Sequence, residues 1–172
     1  MSHFNKCLLS LTFAALSFVS LSCRKNSLDT PACANIVAER APERVIIRFE
    51  DKLTGKNLIG LTGLKIADIK VLSIAGDLPL NSWRILPDAQ KPPLGSAVEI
   101  ALLDNKPGKY TYKVILGSLT EVSFEFSLTQ HKASSPCLTA YLKAQDFKVN
   151  SHEFVFFELN GKAYPEILIV KI

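Results

Sequence analysis

Few residues in this chain have the types and spacing that catalysis requires. His131 and His152 lie outside any Glu-x-x-His or His-x-His motif, so the sequence supports neither a zinc site nor a Ser-His-Asp group. Glu121 and Glu125 resemble the two carboxylates of a glycosidase, but they alternate with apolar residues, which is typical of the solvated face of a strand. The sequence therefore predicts a protein that is not an enzyme and needs no cofactor or metal ion.

The residues with the clearest potential for binding are Trp83, the only tryptophan, and Arg84 beside it. They lie in residues 76–96, a proline-rich stretch without strand periodicity, and long loops of compact domains often carry binding residues. Trp83 can stack on a sugar ring or anchor a protein partner, with Arg84 supplying a charge. The alternative is that Trp83 fills the open end of the hydrophobic core.

The amino-terminal residues have the pattern of a secretory signal. Lys6 supplies one positive charge, and residues 7–21 contain no charged side chain, as in the apolar region of a signal peptide. This run is shorter than the roughly 20 apolar residues that a membrane-spanning helix needs. We therefore expect a signal peptide over residues 1–22.

The junction Ser20-Leu21-Ser22-Cys23 places a cysteine directly after small residues that a signal peptidase inspects. It resembles the relaxed lipobox of small lipoproteins of Bacteroidota-type Gram-negative bacteria, with Ser20 where the strict pattern has an aliphatic residue. The resemblance implies a diacylglycerol thioether on Cys23 and an acyl chain, such as palmitate, on its amine. It also implies an outer membrane lipoprotein that faces the periplasm or the cell surface. An ordinary free thiol at Cys23 is the alternative.

The number of cysteines favours this lipid anchor. Once Cys7 leaves with the signal, the mature chain keeps Cys23, Cys33 and Cys137, an odd number for an exported protein. Lipidation of Cys23 leaves Cys33 and Cys137 to form a disulfide in an oxidising compartment. This bridge would close a loop of roughly 100 residues and add about 4.7 kcal/mol of stability in the chain-entropy model. A metal site or catalytic thiol lacks the close Cys or His spacing that such sites show.

The composition is that of a globular chain of ordinary charge. The 172 residues include 20 basic and 16 acidic side chains, which give a net charge of +4, and no basic run is longer than Arg24-Lys25. This pattern does not favour nucleic-acid binding. Residues 23–31 are polar and end in proline, as in a lipidated tether, and residues 32–172 are expected to form one domain.

Short segments in which apolar and polar residues alternate indicate strands. They are predicted at residues 44–50, 64–74, 97–103, 109–116, 121–128, 137–149, 153–159 and 163–172. Gly117-Ser118 and Asn160-Gly161 have the composition of two-residue hairpin turns. Seven or eight strands at this spacing predict an all-β fold, an antiparallel β-sandwich of immunoglobulin-like architecture, with a small β-barrel as the alternative.

Together these features predict a binding or structural lipoprotein of the cell envelope. Its expected partners are the membrane, through the lipid on Cys23, and another envelope protein or a glycan. One alternative is a hydrolase or inhibitor that acts on envelope polymers, which would require His131, His152 and a carboxylate to converge in one cleft. Another is a purely structural or assembly subunit, which flat sheet faces without pockets and a buried Trp83 would favour.

Overall fold

The computed structural model describes residues 42–73, 76–88, 93–133 and 140–172. The predicted signal peptide, the tether and the three mature cysteines lie outside these ranges. Within them, no helix is long and apolar enough to cross a membrane.

Ten strands make up most of the described chain. They are β1 (Arg44–Glu50), β2 (Ile69–Ser73), β3 (Gly76–Asp77), β4 (Trp83–Ile85), β5 (Val98–Ala101), β6 (Gly108–Leu116), β7 (Thr120–Lys132), β8 (Ala140–Val149), β9 (Phe154–Leu159) and β10 (Lys162–Lys171). One short helix, α1 (Leu58–Thr62), and two 3-10 turns, Ile66–Asp68 and Leu80–Ser82, lie between them.

The strands form two five-stranded sheets that share one hydrophobic core. The first sheet has the order β4-β5-β1-β10-β9, and the second has the order β3-β2-β6-β7-β8. Neighbouring strands are antiparallel, except that β1 and β10 run parallel. The predicted all-β sandwich is therefore confirmed. Because the described strands form two separate sheets, they do not form the alternative barrel.

Strict alternation explains how each sheet acquires one buried face. In β7, Val122, Phe124, Phe126 and Leu128 are at most 3% exposed, while the residues between them are half-buried or exposed. Successive strand residues point to opposite sides, so one face of β7 lies on the core. The alternation of β1 has the same effect in the first sheet.

Aromatic side chains of the second sheet fill the centre of the core. The ring centroid of Tyr112 on β6 lies 5.2 Å from that of Phe126 on β7, in an edge-to-face arrangement. Phe126 also stacks on Phe147 of β8 at 5.8 Å. Aromatic pairs at these separations add to the stabilisation from buried area.

One of the two predicted hairpin turns has the expected length. Asn160 and Gly161 both have positive φ, 53° and 74°, and join Leu159 to its partner Lys162, as a two-residue type I′ turn requires. The prediction of a two-residue turn at Gly117-Ser118 is wrong, because Leu116 pairs with Thr120 and the loop between them has three residues.

The prediction of a strand over residues 64–74 places its start too early, because β2 begins at Ile69. Asn57 caps α1 by accepting a hydrogen bond from the Gly60 N–H at 3.1 Å, and Gly63 ends the helix with a φ of 66°. The Asp68 carboxylate then accepts the Lys65 N–H at 2.9 Å within the first 3-10 turn. These local side-chain bonds compete with strand pairing, so β2 begins only at Ile69.

Two segments contain more regular structure than the sequence suggests. Residues 76–96 include β3 and β4, although alternation over such short strands is too brief to detect. β7 continues to Lys132, four residues beyond the end of the predicted strand over residues 121–128. Pro165 lies where the β9 and β10 register shifts, between Tyr164 and Leu168, so its missing N–H interrupts no regular ladder.

Three charged side chains are linked on the outer face of the first sheet. Arg48 Nε donates a hydrogen bond to Glu50 Oε1 at 2.8 Å, and Lys171 Nζ, opposite on β10, donates to Glu50 Oε2. Burial raises the pKa of Glu50, but the hydrogen bonds from Lys171 and Arg48 outweigh it and hold the pKa below its ordinary value. Glu50 is therefore ionised in the folded protein at neutral pH.

Replacing Glu50→Gln should lower the free energy of unfolding by about 1–2 kcal/mol at roughly pH 7, because hydrogen bonds to a charged acceptor are lost. A carboxyl whose pKa is lowered by folding stabilises only while it is ionised. The difference in unfolding free energy between the two proteins should therefore shrink as the pH falls through and below about 4.3, the ordinary pKa of a glutamate. Urea unfolding of both proteins across this pH range measures it. A difference that stays constant with pH would contradict the assignment.

Candidate functional site

Arg84 lies on β4, an edge strand of the first sheet, and not in an irregular loop. In the pairing of β4 with β5, Arg84 is opposite Glu99 and Trp83 is opposite Ile100. Because adjacent residues on a strand face opposite sides, Trp83 lies toward the core and Arg84 toward the outer face. Arg44 reaches this face from β1, on the other side of β5.

Glu99 receives hydrogen bonds from both arginines. Arg84 Nε and Arg44 Nη1 donate to the same oxygen, Oε2 of Glu99, at 2.5 and 3.0 Å. The Glu99 side chain is only 6% exposed, whereas those of Arg84 and Arg44 are 58% and 49% exposed. The arrangement, here called the Arg44–Glu99–Arg84 cluster, thus has a buried carboxylate and two guanidinium groups at the surface.

The cluster has a net positive charge. Two guanidinium groups and one carboxylate sum to +1, and arginine remains protonated at any physiological pH. A buried carboxylate is costly unless it is paired and hydrogen-bonded, and both arginines meet that need here. Glu99 therefore holds two cations close together that would otherwise repel each other.

A depression of about 360 Å³ lies over the cluster. Its lining is Arg44, Ile66, Asn81, Ser82, Trp83, Arg84, Glu99 and Ala101. The hydrogen bonds to Glu99 engage one nitrogen of each arginine, and a guanidinium carries five N–H donors. Both arginines thus keep donors for a second acceptor in the depression.

Trp83 is buried in the hydrophobic core. Its side chain is 4% exposed and belongs to the shared core. A tryptophan buried to this extent offers little surface for a ligand, although it is among the residues that line the depression. Of the two predicted contact residues, Arg84 is the exposed one.

The histidines do not converge on a common cleft. His131 lies near the end of β7, where it stacks on Tyr141 with ring centroids 5.7 Å apart. His152 Nε2 is 3.4 Å from the hydroxyl of Thr120, the first residue of β7. The two histidines are therefore near opposite ends of a thirteen-residue strand. In the described ranges, no group of three or more His, Cys, Asp or Glu side chains could hold a metal ion.

Glu121 and Glu125 occupy the solvated face of β7, as their alternation predicts. Glu121 forms an ion pair with Lys113 at 2.7 Å, and Glu125 accepts a hydrogen bond from Asn150 at 2.7 Å. Both side chains lie on an exposed sheet face.

A second depression, of about 400 Å³, lies at the end of the sandwich where β1 begins. Its lining includes Glu43, Asp104, Ala140 and Tyr141. Asp104 accepts a hydrogen bond from the Tyr112 hydroxyl at 2.9 Å. Burial and this carboxylate raise the pKa of Tyr112 above its ordinary value.

Arg44 and Glu99 were not recognised from the sequence. Glu99 stands between Val98 and Ile100, as Glu121 and Glu125 stand between apolar residues on β7. Alternation predicts that all three point away from the core, but it does not reveal which of them a neighbouring strand will cover. Only the placement of β5 between β4 and β1 identifies Glu99 as buried.

Comparison of the chain with protein-family models, with curated proteins and with solved structures finds no match.

Replacing Glu99→Ala should lower the free energy of unfolding by about 2 kcal/mol, because the two arginines lose their shared counter-charge and repel each other. The arginines are partly solvated, so the loss should be smaller than for a fully buried pair. Glu121→Ala is the matched control on an exposed strand position, with an expected change within about 0.5 kcal/mol. Equal losses in chemical unfolding of the two variants would show that Glu99 has no special role.

Proposed function

We propose that this chain is a lipid-anchored, non-enzymatic binding protein of the cell envelope that holds an anionic group at the Arg44–Glu99–Arg84 cluster. The anchor is the lipid on Cys23, and the ligand is an acidic glycan or an acidic side chain of another envelope protein. The described β-sandwich presents the binding site.

The observation that carries the proposal is the shared carboxylate of Glu99. Because both arginines donate to one oxygen of Glu99, that carboxylate holds their positions. The two guanidinium groups and the carboxylate together have a net charge of +1. Planar guanidinium groups match the geometry of carboxylates and phosphates. Because the arginines are held before a ligand arrives, binding requires less ordering of their side chains.

The sequence supports the proposed anchor and disulfide. The junction Ser20-Leu21-Ser22-Cys23 supports lipidation, and lipidation of Cys23 leaves an even number of mature cysteines, Cys33 and Cys137, for one bridge. All three cysteines lie outside the described residues.

The alternative of an envelope-polymer hydrolase has no specific support in the described residues. It required both histidines and a carboxylate in one cleft, and His131 and His152 lie near opposite ends of β7. Glu121 and Glu125 lie on an open sheet face rather than on two sides of a cleft.

Binding of an acidic oligosaccharide tests the proposed site. Isothermal titration of the protein with a galacturonic acid oligomer should show binding, and Arg84→Gln should weaken it about tenfold through loss of a charge-assisted contact worth about 1.4 kcal/mol. Added salt should weaken binding further, because both arginines are exposed and screened.

Two controls make this experiment specific. The methyl-esterified oligomer has the same shape without the negative charges and should not bind. Lys113→Gln removes an exposed cation from the second sheet, where Lys113 pairs with Glu121, and should leave the affinity unchanged. Equal binding of the ester, or equal weakening by Lys113→Gln, would overturn the proposed site.

Intact mass spectrometry of the membrane-extracted protein tests the anchor and the disulfide. We expect a chain that begins at Cys23 and carries added acyl mass. Cys33 and Cys137 should react with an alkylating reagent only after reduction. A species without lipid would exclude the anchor, and thiols that alkylate before reduction would exclude the bridge.

A further inference from the structure

The strand β9 leaves apolar side chains exposed at an edge of the first sheet. β9 pairs with β10 on one side, and no described strand lies on its other side. Five of its six residues are apolar. Val155, Phe156 and Leu159 are 53%, 37% and 49% exposed.

β9 lacks the features that normally prevent edge strands from pairing. Proteins protect such edges with lysine, proline, bulges or very short strands. β9 has none of these, because its only charged residue is Glu158 and the register shift with β10 is an insertion in β10.

The hydrogen bonds to β10 show which backbone groups of β9 point outward. The Lys171 N–H donates to the carbonyl oxygen of Glu153 at 2.9 Å, so Glu153 faces β10. Backbone groups alternate in direction along an antiparallel strand. The N–H and C=O groups of Phe154, Phe156 and Glu158 therefore point away from β10, along the free edge.

We propose that β9 pairs with β9 of a second copy of this chain, antiparallel and about a two-fold axis at Val155. This register places Phe154 opposite Phe156 of the second copy, so that outward backbone groups face outward backbone groups. The two first sheets then form one continuous sheet.

Hydrogen bonding excludes a register shifted by one residue. With the axis between Val155 and Phe156, Phe154 would lie opposite Phe157 of the second copy. That shift would set outward backbone groups against inward ones, because their direction alternates along the strand.

A second copy fits this edge because the strand complements itself. In the proposed register Phe154 lies opposite Phe156 and Val155 lies opposite Val155 of the second copy, so apolar residues face apolar residues at these three positions. A two-fold contact of this kind is closed and uses the same surface on both subunits. Pairing therefore ends at a dimer and removes both β9 edges.

Cysteine cross-linking of the mature protein tests the register. Residues opposite each other in a non-hydrogen-bonded pair have Cα atoms about 4.5 Å apart, so Val155→Cys should form a disulfide-linked dimer under mild oxidation, identified by the mass of the linked peptide. Phe157→Cys is the control. In this register its two copies lie at least about 13 Å apart, too far for a disulfide. Equal cross-linking of both variants, or none at Val155→Cys, would overturn the proposed pairing.

Light scattering of the purified protein tests the dimer itself. The unchanged protein should have the mass of two chains, and Val155→Lys should halve it, because two ammonium groups would meet on the axis. Leu119→Lys, which changes a side chain of similar exposure in the β6–β7 loop, should keep the dimer mass. Circular dichroism establishes that each variant is folded. A monomeric unchanged protein, a dimer that survives Val155→Lys, or larger aggregates in place of a dimer would each refute the proposal.

Discussion

The aromatic contacts among β6, β7 and β8 hold the remainder of the sandwich in place. Tyr112, Phe124, Phe126 and Phe147 come from three adjacent strands of the second sheet and lie on its inner face. The first sheet packs its own buried residues, such as Ile47 and Phe49, into the same core. The outer faces can then carry charges, because the inner faces supply the apolar burial on which the fold depends.

Charge is distributed differently on the two outer faces. On the second sheet, Glu121 and Lys113 form a simple solvated pair. On the first sheet, Glu50 and Glu99 are each held by two cations and are mostly buried. Both glutamates lie on strands with neighbours on either side, where side chains from those strands cover them. Strand order, rather than local sequence, thus determines which charges are structural.

The sequence predicts the long strands well because their alternation extends over many residues. β1 and the alternating part of β7 follow directly from it, and Asn160-Gly161 predicts its hairpin through the positive φ of both residues. The short elements were missed because α1 and β4 contain five and three residues, too few for a period to appear. Arg84 was recognised as a candidate for binding, but its partners Glu99 and Arg44 are 15 and 40 positions away in sequence, and only sheet pairing brings them together.

The parallel pairing of β1 with β10 has a consequence for how the chain folds. These are the first and last strands of the described domain, and they lie side by side at the centre of the first sheet. During synthesis, β1 emerges more than a hundred residues before its neighbour. Contacts between distant parts of a chain form slowly, because the intervening loop must close first. The first sheet cannot be completed until β10 is available, so a nascent chain would keep the unpaired edge of β1 open to chaperones and proteases.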